Sequence, residues 1–202
     1  NGQVCISPNR FYIHDSKKDE FVNLFVEKTK KLKIGNGMDA ETQLGPLTTE
    51  KRLKEVEELV EKTKQEGAEV LLGGKRPSGF NKGFYYEPTI FDKVKDDFTI
   101  MKEEPFGPLV PMLSFKSFDE VIERANNHEL GLSSYICTNS MEKAHLASEK
   151  LQTGTVGVNT ALIAIAEAPF GGIKQSGYGR EGGSMAIKDY LNVKYTHMGL
   201  KI

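Results

Sequence analysis

The sequence has 202 residues, of which 38% are hydrophobic and 27% are charged, as expected for a soluble globular protein with an ordinary core. The formal net charge is −1, from 27 basic and 28 acidic residues, so nothing electrostatic draws the chain to nucleic acids or acidic lipids. No apolar run is long enough to span a membrane, no secretory signal pattern is visible, and two widely separated cysteines suit a reducing compartment. We therefore expect a cytoplasmic protein with no nucleic-acid or membrane partner.

The first elements predicted along the chain are a strand and an amphipathic helix. The stretch "RFYIH" favours a short strand, and Asp15 or Ser16 is the expected cap of a helix that ends near Gly35. The apolar positions of this helix are Phe21, Leu24, Phe25 and Leu32. Because the chain starts at Asn1 with no preceding strand or cap, we expect it to be a piece of a longer protein.

A second helix follows a long connection rich in Gly, Thr and Pro. We expect it to begin after Thr48 or Thr49 and to stop at Gly67. Its apolar stripe consists of Leu53, Val56, Val60 and Thr63. The stretches "AEVLLGG" and "FYYEPTIF" then favour strands, the second at an edge or interrupted by Pro88.

Strands and helices continue to alternate in the second half. "LVPMLSF" predicts a strand, and Ser117 with Glu120 forms a capping box that opens the next helix. Strand "LSSYICT", a helix from Ser140 to Leu151, and strand "GTVGVN" complete the series. This alternation predicts an α/β fold, with a mostly parallel sheet covered by helices.

The last stretch differs from the rest of the chain. We expect one main domain over residues 1–184, and a C-terminal helix and strand over residues 185–202. The terminal strand is free to pair outside the main sheet, with another subunit.

Cys5 is the first candidate for chemistry. A lone cysteine is usually a small buried side chain, but Gly2 permits a close backbone approach, and the polar segment before "RFYIH" can present Cys5 at the start of a helical turn. A helix N-terminus lowers a thiol pKa, and its amides can hold an oxyanion. Cys137 lies within the apolar run "SSYICT" and is expected to be buried in the core.

A glycine-rich segment and the histidines offer weaker signals. "GYGREG", residues 177–182, matches the dinucleotide fingerprint letter for letter, but it lacks a strand directly before it and an acidic residue some 20 positions later. The histidines are His14, His128, His145 and His197, and they lack the spacing of metal ligands. We therefore expect neither a phosphate cradle at this segment nor a metal site.

The segment "MKEEPFGPLVP" cannot be a helix interior, because Pro105 and Pro108 remove donors and fix an extended or turning path. It is either a plain surface turn or a rigid turn that aims Glu104 and Phe106 at a ligand. A carboxylate suits vicinal hydroxyls, and an aromatic ring suits a flat heterocycle.

Three segments, "GQVC", "EEPFGP" and "APFGGIKQSGYGRE", resemble in this order the catalytic domain of the NAD(P)-dependent aldehyde dehydrogenases. The likeness extends from Asn1 to the terminal strand and is strongest with the succinate-semialdehyde dehydrogenase branch. It implies oxidation of succinate semialdehyde, or a similar short semialdehyde, by NAD or NADP without a metal.

The resemblance also implies roles for individual residues. Cys5 matches the nucleophile, which forms a thiohemiacetal and then a thioester, and its main-chain N–H matches an oxyanion donor. Glu104 matches the residue that binds the nicotinamide ribose, and Phe106 the aromatic beside it. Phe170 matches an aromatic near the aldehyde pocket, while Ala164 stands where the branch has a serine.

Other family features have no match in this sequence. The general base, the asparagine oxyanion donor and the cofactor-binding domain all precede a segment like "GQVC" in the family. The resemblance therefore implies a catalytic domain that is inactive by itself, with NAD or NADP bound mainly by the missing N-terminal domain. The terminal strand matches the oligomerisation arm, which implies a homodimer or homotetramer. The alternatives are a nucleotide-binding module without chemistry and an assembly module.

Overall fold

The computed structural model describes residues 1–200. The chain forms two compact units, a first unit over Asn1–Asn127 and a second unit that begins at His128. Each unit has its own strands and helices, and the α/β class predicted from the alternating pattern is confirmed.

The first unit is built on a four-stranded sheet with the strand order β1-β4-β3-β2. Its elements are β1 (Phe11–His14), α1 (Lys18–Lys30), α2 (Glu50–Gln65), β2 (Glu69–Leu72), β3 (Thr89–Asp92), α3 (Thr99–Lys102), β4 (Leu109–Phe115) and α4 (Phe118–Asn126). Strands β1, β4 and β3 run parallel, and only β2 is antiparallel to its neighbour. The sheet is therefore mostly parallel, as predicted.

The two faces of this sheet bury alternate residues of the same strands. On β3 and β4, Phe91 and Leu113 belong to the cluster that contains the apolar stripe of α2, whereas Ile90 and Met112 belong to the opposite cluster, against which α1 packs. Successive side chains of a strand point to opposite faces, so both faces need an apolar cover. Helices α2 and α3 supply it on one face and α1 on the other.

Helix α2 has the limits and stripe that its sequence predicts. Thr49 is the N-cap, and its hydroxyl oxygen accepts a hydrogen bond of 3.1 Å from the main-chain N–H of Arg52. The buried residues of α2 are Leu53, Val56, Leu59, Val60 and Thr63. Thr63 is tolerated in the core because its hydroxyl donates to the carbonyl of Leu59 at 2.7 Å.

Helix α1 differs from its prediction. A 3-10 helix occupies Asp15–Lys17, so the α-helix begins later than expected, and it ends at Lys30. The side chains that pack on the sheet are Val22, Phe25 and Val26, while Phe21 and Leu24 are 38% and 49% exposed. The inward face of α1 was therefore predicted incorrectly. The helix carries more apolar residues than it buries, so their positions alone did not identify the buried face.

Strand β4 changes partners along its length. Leu109, Val110 and Pro111 pair with β3, and the pairing with β1 begins at Met112. A proline has no N–H to donate to a ladder, and Pro111 lies where one ladder ends and the other begins. The first residue of β1, Phe11, therefore pairs with Met112, three residues after the start of β4.

The second unit contains two small sheets. Its elements are β5 (Leu130–Gly131), β6 (Ser133–Ile136), α5 (Met141–Lys150), β7 (Thr155–Val158), β8 (Ile173–Lys174) and a 3-10 helix at Ala186–Tyr190. Strands β6 and β7 are parallel and α5 connects them, whereas β5 and β8 are antiparallel. Ser140 is the N-cap of α5, so the helix lies within the predicted range of Ser140 to Leu151.

The C-terminal stretch is less regular than expected. The predicted helix is a single 3-10 helix, and residues 191–200 are exposed and carry no strand assignment in this single chain. A strand that needs a second chain as its partner stays a prediction, as does the domain boundary after residue 184. The last two residues of the predicted 185–202 segment lie outside the described residues.

Candidate active site

Cys5 lies in a short hydrogen-bonded turn at the start of the first unit. The main-chain N–H of Ser7 donates to the carbonyl of Val4 at 2.9 Å, and the Cys5 side chain between them is exposed. Residues 1–10 form this turn but no helix, so the helical turn expected beside the thiol is wrong. What the structure provides is an accessible sulfur on a short turn that leads into β1.

A close contact between main chains fixes the segment before Cys5. Gly2 has φ +77°, a conformation that side chains disfavour, and a Cβ added to it would overlap the carbonyl oxygen of Gly107. A glycine is therefore required at this position. The contact brings the Cys5 segment directly onto the loop that follows Glu104.

Side-chain hydrogen bonds hold the same segment from another direction. The amide oxygen of Gln3 accepts hydrogen bonds from the Thr48 main-chain N–H at 3.2 Å and from the Thr48 hydroxyl at 3.0 Å. The side chain of Asn1 accepts from the Gln3 amide group at 3.1 Å and donates to the Pro46 carbonyl at 2.9 Å. Sequence reasoning missed these bonds, since nothing local to "NGQVC" indicates a partner so far along the chain.

The second part of the site is the loop from Glu104 to Gly107. Glu104 is exposed, whereas Pro105 and Gly107 on either side of Phe106 are buried. Phe106 has φ +42°, a rare conformation for a side-chain-bearing residue, and it persists only where the surroundings hold it. The loop is therefore a rigid turn, not a loose surface connection.

Helix α2 is the support on which this loop is built. The guanidinium of Arg52 lies over the Phe106 ring, 5.9 Å from its centroid. A Cβ on Gly107 would come within 2.7 Å of a methyl group of Val56, so the main chain of the loop lies tightly against the helix. These contacts hold the main chain of the loop and the ring of Phe106 against α2.

The sheet topology explains why the two segments meet. The Cys5 segment leads into β1 and the Glu104 loop leads into β4, and these strands are parallel neighbours. Segments that enter parallel neighbours arrive at the same edge of the sheet, and the offset of β1 leaves space beside the start of β4. A small cavity at this place is lined by Gly2, Val4, Ser7, Pro8, Asn9, Glu104, Pro105, Phe106, Gly107 and Leu109.

A further anchor lies just upstream of the loop. The carboxylate of Glu66, at the end of α2, accepts hydrogen bonds from the Thr99 main-chain N–H at 2.9 Å and from the Thr99 hydroxyl at 2.6 Å. Thr99 begins α3, which ends directly before Glu103. Glu66 thus holds the helix that leads into the Glu104 loop, and no sequence motif indicates it.

The remaining predicted site residues belong to the second unit. Ala164 is exposed in an irregular segment. Phe170 is partly buried, and its main chain exchanges two hydrogen bonds of 2.7 Å with Glu181. In the first unit, the turn that bears Cys5 lines the same cavity as Glu104 and Phe106 through its residues Val4 and Ser7, although Cys5 itself does not line it. Ala164 and Phe170 belong to the second unit.

Asn159 joins the ends of β6 and β7 through its side chain. Its side chain accepts from the Thr138 main-chain N–H and donates to the Thr138 carbonyl, both at 2.9 Å, and its φ is +54°. It thereby extends the pairing of β6 and β7 by one step. Cys137, which precedes Thr138, is exposed, so its predicted burial is wrong: β6 ends one residue before it.

The segment "GYGREG" forms turns in the structure. Gly177, Gly179 and Gly182 all have positive φ, and the Asp189 carboxylate accepts from the main-chain N–H of Arg180 at 3.0 Å. Only a 3-10 helix follows within the described residues, so the strand–turn–helix setting of a dinucleotide fingerprint is absent. Among residues 1–200, no helix is both long and apolar enough to cross a membrane.

The chain is similar throughout its length to one protein family. The model of the "Aldehyde dehydrogenase family" matches residues 1–196. A mitochondrial succinate-semialdehyde dehydrogenase of Oryza sativa is 40% identical over 200 residues, a betaine aldehyde dehydrogenase of Brucella anthropi is 42% identical over 202, and a glutarate-semialdehyde dehydrogenase of Pseudomonas putida is 44% identical over 195. The matches cover 98%, 98% and 96% of this chain.

The chain spans only part of each relative. The three matches cover 37%, 42% and 40% of the relatives' own lengths. A solved aldehyde dehydrogenase from Bacillus cereus, in its NAD+ complex, superposes with a TM-score of 0.93 at 44% identity, over 96% of this chain and 39% of that one. The fold and the sequence therefore agree on one family, for a portion of its members' length.

Proposed function

Since the chain belongs to the aldehyde dehydrogenase family, we propose that it supplies the catalytic thiol for the NAD(P)-dependent oxidation of an aldehyde to a carboxylic acid. The observation that carries the proposal is the accessible Cys5 on a turn that shares one cavity with the Glu104 loop. Either segment alone is a surface turn, whereas together they provide an accessible thiol on one segment and an exposed carboxylate and an aromatic ring on the other, at one edge of the sheet.

In this proposal the sulfur of Cys5 carries the substrate. Its thiolate attacks the carbonyl carbon of the aldehyde, which gives a thiohemiacetal oxyanion, and the main-chain N–H of Cys5 donates to that oxygen. Loss of hydride from this carbon leaves a thioester on Cys5. Water then hydrolyses the thioester, which releases the acid and restores the thiol.

The residues beside Cys5 fit a nicotinamide cofactor. The exposed carboxylate of Glu104 offers two acceptor oxygens, which suit the vicinal hydroxyls of a ribose, and Phe106 presents a ring held in one orientation. NAD or NADP held by these residues would supply the hydride acceptor. The buried, close-packed main chain of Gly107 keeps both side chains in place.

The substrate proposed is succinate semialdehyde or a similar short semialdehyde. Relatives at 40% and 44% identity are named for succinate and glutarate semialdehydes, and another at 42% is named for betaine aldehyde. We place Ala164 and Phe170 at the aldehyde pocket. The small, exposed Ala164 offers no hydroxyl to a substrate carboxylate, so selectivity among these aldehydes depends on other groups.

The chain spans 37% to 42% of the length of these relatives. The proposal assigns most of the cofactor binding and the general base to a portion outside this chain. We call the chain joined to that portion the complete enzyme. The chain alone binds no cofactor tightly and turns over no aldehyde. The complete enzyme is cytoplasmic and forms a homodimer or homotetramer through the C-terminal stretch.

The test is an assay of the complete enzyme with succinate semialdehyde, glutarate semialdehyde and betaine aldehyde, each with NAD and with NADP. We expect Cys5→Ala to abolish formation of reduced cofactor and Cys137→Ala to retain it, with the acyl group found on Cys5 by mass spectrometry. Full activity in Cys5→Ala contradicts the proposal. Tight binding of NAD by the isolated chain in calorimetry contradicts the assignment of the cofactor site and favours a binding module.

A further inference from the structure

Gln3 stands two residues before Cys5, and its side chain is fixed to a distant segment of the first unit. Its amide oxygen accepts from both the main-chain N–H and the hydroxyl of Thr48, at 3.2 and 3.0 Å. Two donors from one residue fix the direction of the amide group as well as its distance. Because Gln3 is so close to Cys5 in the chain, its fixed position limits where the turn can lie.

Thr48 lies directly before the N-cap of α2, the helix that also supports the Glu104 loop. The next residue, Thr49, caps α2 through its hydroxyl. The first turns of α2 carry Arg52 over the Phe106 ring and Val56 against Gly107. One helix end therefore contacts both halves of the proposed site, and Gln3 is the side chain that connects the thiol-bearing segment to it.

We propose that Gln3 and Thr48 are positioning residues for the Cys5 thiol, through a pair of hydrogen bonds that we call the Gln3–Thr48 clamp. The inference rests on the proposed function, since the clamp acts only by placing Cys5 relative to the Glu104 loop. Attack on a carbonyl needs the reacting atoms in a narrow geometry, and a misplacement of about 1 Å costs up to roughly a hundredfold in rate.

The clamp lies at the surface, so its effect on turnover can be distinguished from an effect on the stability of the fold. Thr48 is exposed, and both hydrogen bonds lie at the surface. Water replaces a lost exposed hydrogen bond, so the net cost to the folded state is small. A large effect of the clamp on turnover, with little effect on unfolding, is therefore the signature of positioning.

The test uses the complete enzyme and four variants. Gln3→Met removes both hydrogen bonds of the clamp and also the bond from the Gln3 amide group to Asn1, Thr48→Val removes one bond of the clamp and leaves the Asn1 bond, and Thr48→Ser keeps the hydroxyl. The matched control is Gln43→Met, because the Gln43 side chain also accepts a main-chain N–H, from Lys33 at 3.1 Å, but in another exposed connection. We expect kcat to fall about tenfold in Gln3→Met, less in Thr48→Val, and to stay at the original value in Thr48→Ser and Gln43→Met.

Two readouts separate positioning from a general loss of structure. We expect the KM for NAD(P) and the melting temperature to stay unchanged in all four variants. On the chain itself, hydrogen exchange of the Ser7 amide, which closes the Cys5 turn, becomes faster in Gln3→Met and not in Gln43→Met.

Three results overturn the clamp. Unchanged kcat in Gln3→Met and Thr48→Val, with activity abolished in Cys5→Ala, rejects the clamp and leaves the proposed function standing. A fall in kcat that comes with a lower melting temperature or a higher KM for NAD(P) shows a structural role. Full activity in Cys5→Ala rejects the proposed function, and the clamp with it.

Discussion

At the scale of single residues, the position of Cys5 depends most directly on Gly2. Gly2 lies against the main chain of Gly107, and both its positive φ and the lack of space exclude a side chain. A main-chain contact of this kind cannot adapt by a rotamer change. Any larger residue has to move one of the two segments that the proposed site combines.

We therefore expect Gly2→Ala to separate the Cys5 segment from the Glu104 loop. The cost of the strained conformation and the overlap is of order 1–3 kcal/mol, most of it borne locally by displacement of residues 1–9. Hydrogen exchange of a peptide that covers Ser7 should speed up, while global unfolding changes less. Gly37→Ala is the control, because no atom lies within 4 Å of an added Cβ there. Equal exchange in the two variants contradicts this prediction.

Tyr12 on β1 is a residue whose titration affects stability. Its hydroxyl donates to the Asp96 carboxylate at 2.9 Å, and the Arg124 guanidinium lies 4.9 Å from the centre of its ring. Burial, with the nearby Asp96 charge as a smaller cause, raises the pKa of Tyr12 from 10.0 to about 12.

This shift predicts a loss of stability in alkali. Below pH 10.0 the hydroxyl is protonated in both states, so its contribution is fully present. Between pH 10.0 and about 12 the unfolded chain releases the proton and the folded chain retains it, so the free energy of unfolding falls as the pH rises. Denaturant titrations across this range should show a shallower fall in Tyr12→Phe. The exposed Tyr178 supplies the control variant Tyr178→Phe, and an identical slope in the two variants contradicts the assignment.

At the scale of elements, α3 depends on a carboxylate from another helix. Its four residues carry no side-chain cap of their own, and Glu66 from the end of α2 accepts both the main-chain N–H and the hydroxyl of Thr99. A carboxylate at a helix N-terminus satisfies free donors and interacts favourably with the positive end of the peptide dipoles.

Glu66→Ala should therefore destabilise the first unit by about 1–2 kcal/mol, measured by chemical denaturation. The control is Glu58→Ala, an exposed carboxylate on the same helix, which we expect to change stability by less than about 0.5 kcal/mol. If α3 forms without this cap, the two variants will unfold at the same denaturant concentration.

Local sequence signals predicted the elements whose ends and faces are locally determined. The Thr49 cap and the stripe of α2 follow from residues within one or two turns, and β4 has the limits of "LVPMLSF". The face of α1 was predicted incorrectly, because the choice between Phe21 and Val22 as inward residues depends on where the sheet lies. Pro111 within a central strand is explained only by the change of partner, which no single strand sequence reveals.

The candidate site also has a part that local sequence predicted and a part that it did not. Cys5, Glu104 and Phe106 were singled out from motifs, since the residue types themselves carry the chemistry. The bonds of Gln3 to Thr48 and of Glu66 to Thr99 were not predicted, because they join segments that are distant in sequence and depend on the tertiary fold. Cys137 was predicted to be buried because it lies within an apolar run, but β6 ends one residue before it and leaves it exposed.

At the scale of the whole molecule, the exposed C-terminal stretch supports the proposed assembly. The large apolar side chains that it leaves in solvent are Tyr190, Leu191, Val193, Tyr195, Met198 and Leu200. A run of this kind favours a covered interface over permanent exposure. The extended conformation of Leu191 suits a strand that pairs with another chain.

Deletion of residues 192–202 should lower the molecular mass of the complete enzyme in light scattering to that of a smaller assembly. Val193→Asp should act in the same direction, because it places a charge in the proposed interface, whereas Asn192→Asp is expected to leave the mass unchanged. An unchanged mass after the deletion excludes this stretch as the assembly contact.

The exposure of both cysteines has a practical consequence for the protein in solution. Each chain presents two accessible thiols, so an oxidant can link one chain to two others and produce a ladder of covalent polymers on a non-reducing gel. Cys137→Ser leaves a single linking group, and the ladder should then stop at covalent dimers joined through Cys5. In that variant, the extent of dimer formation reports directly on how accessible the proposed nucleophile is.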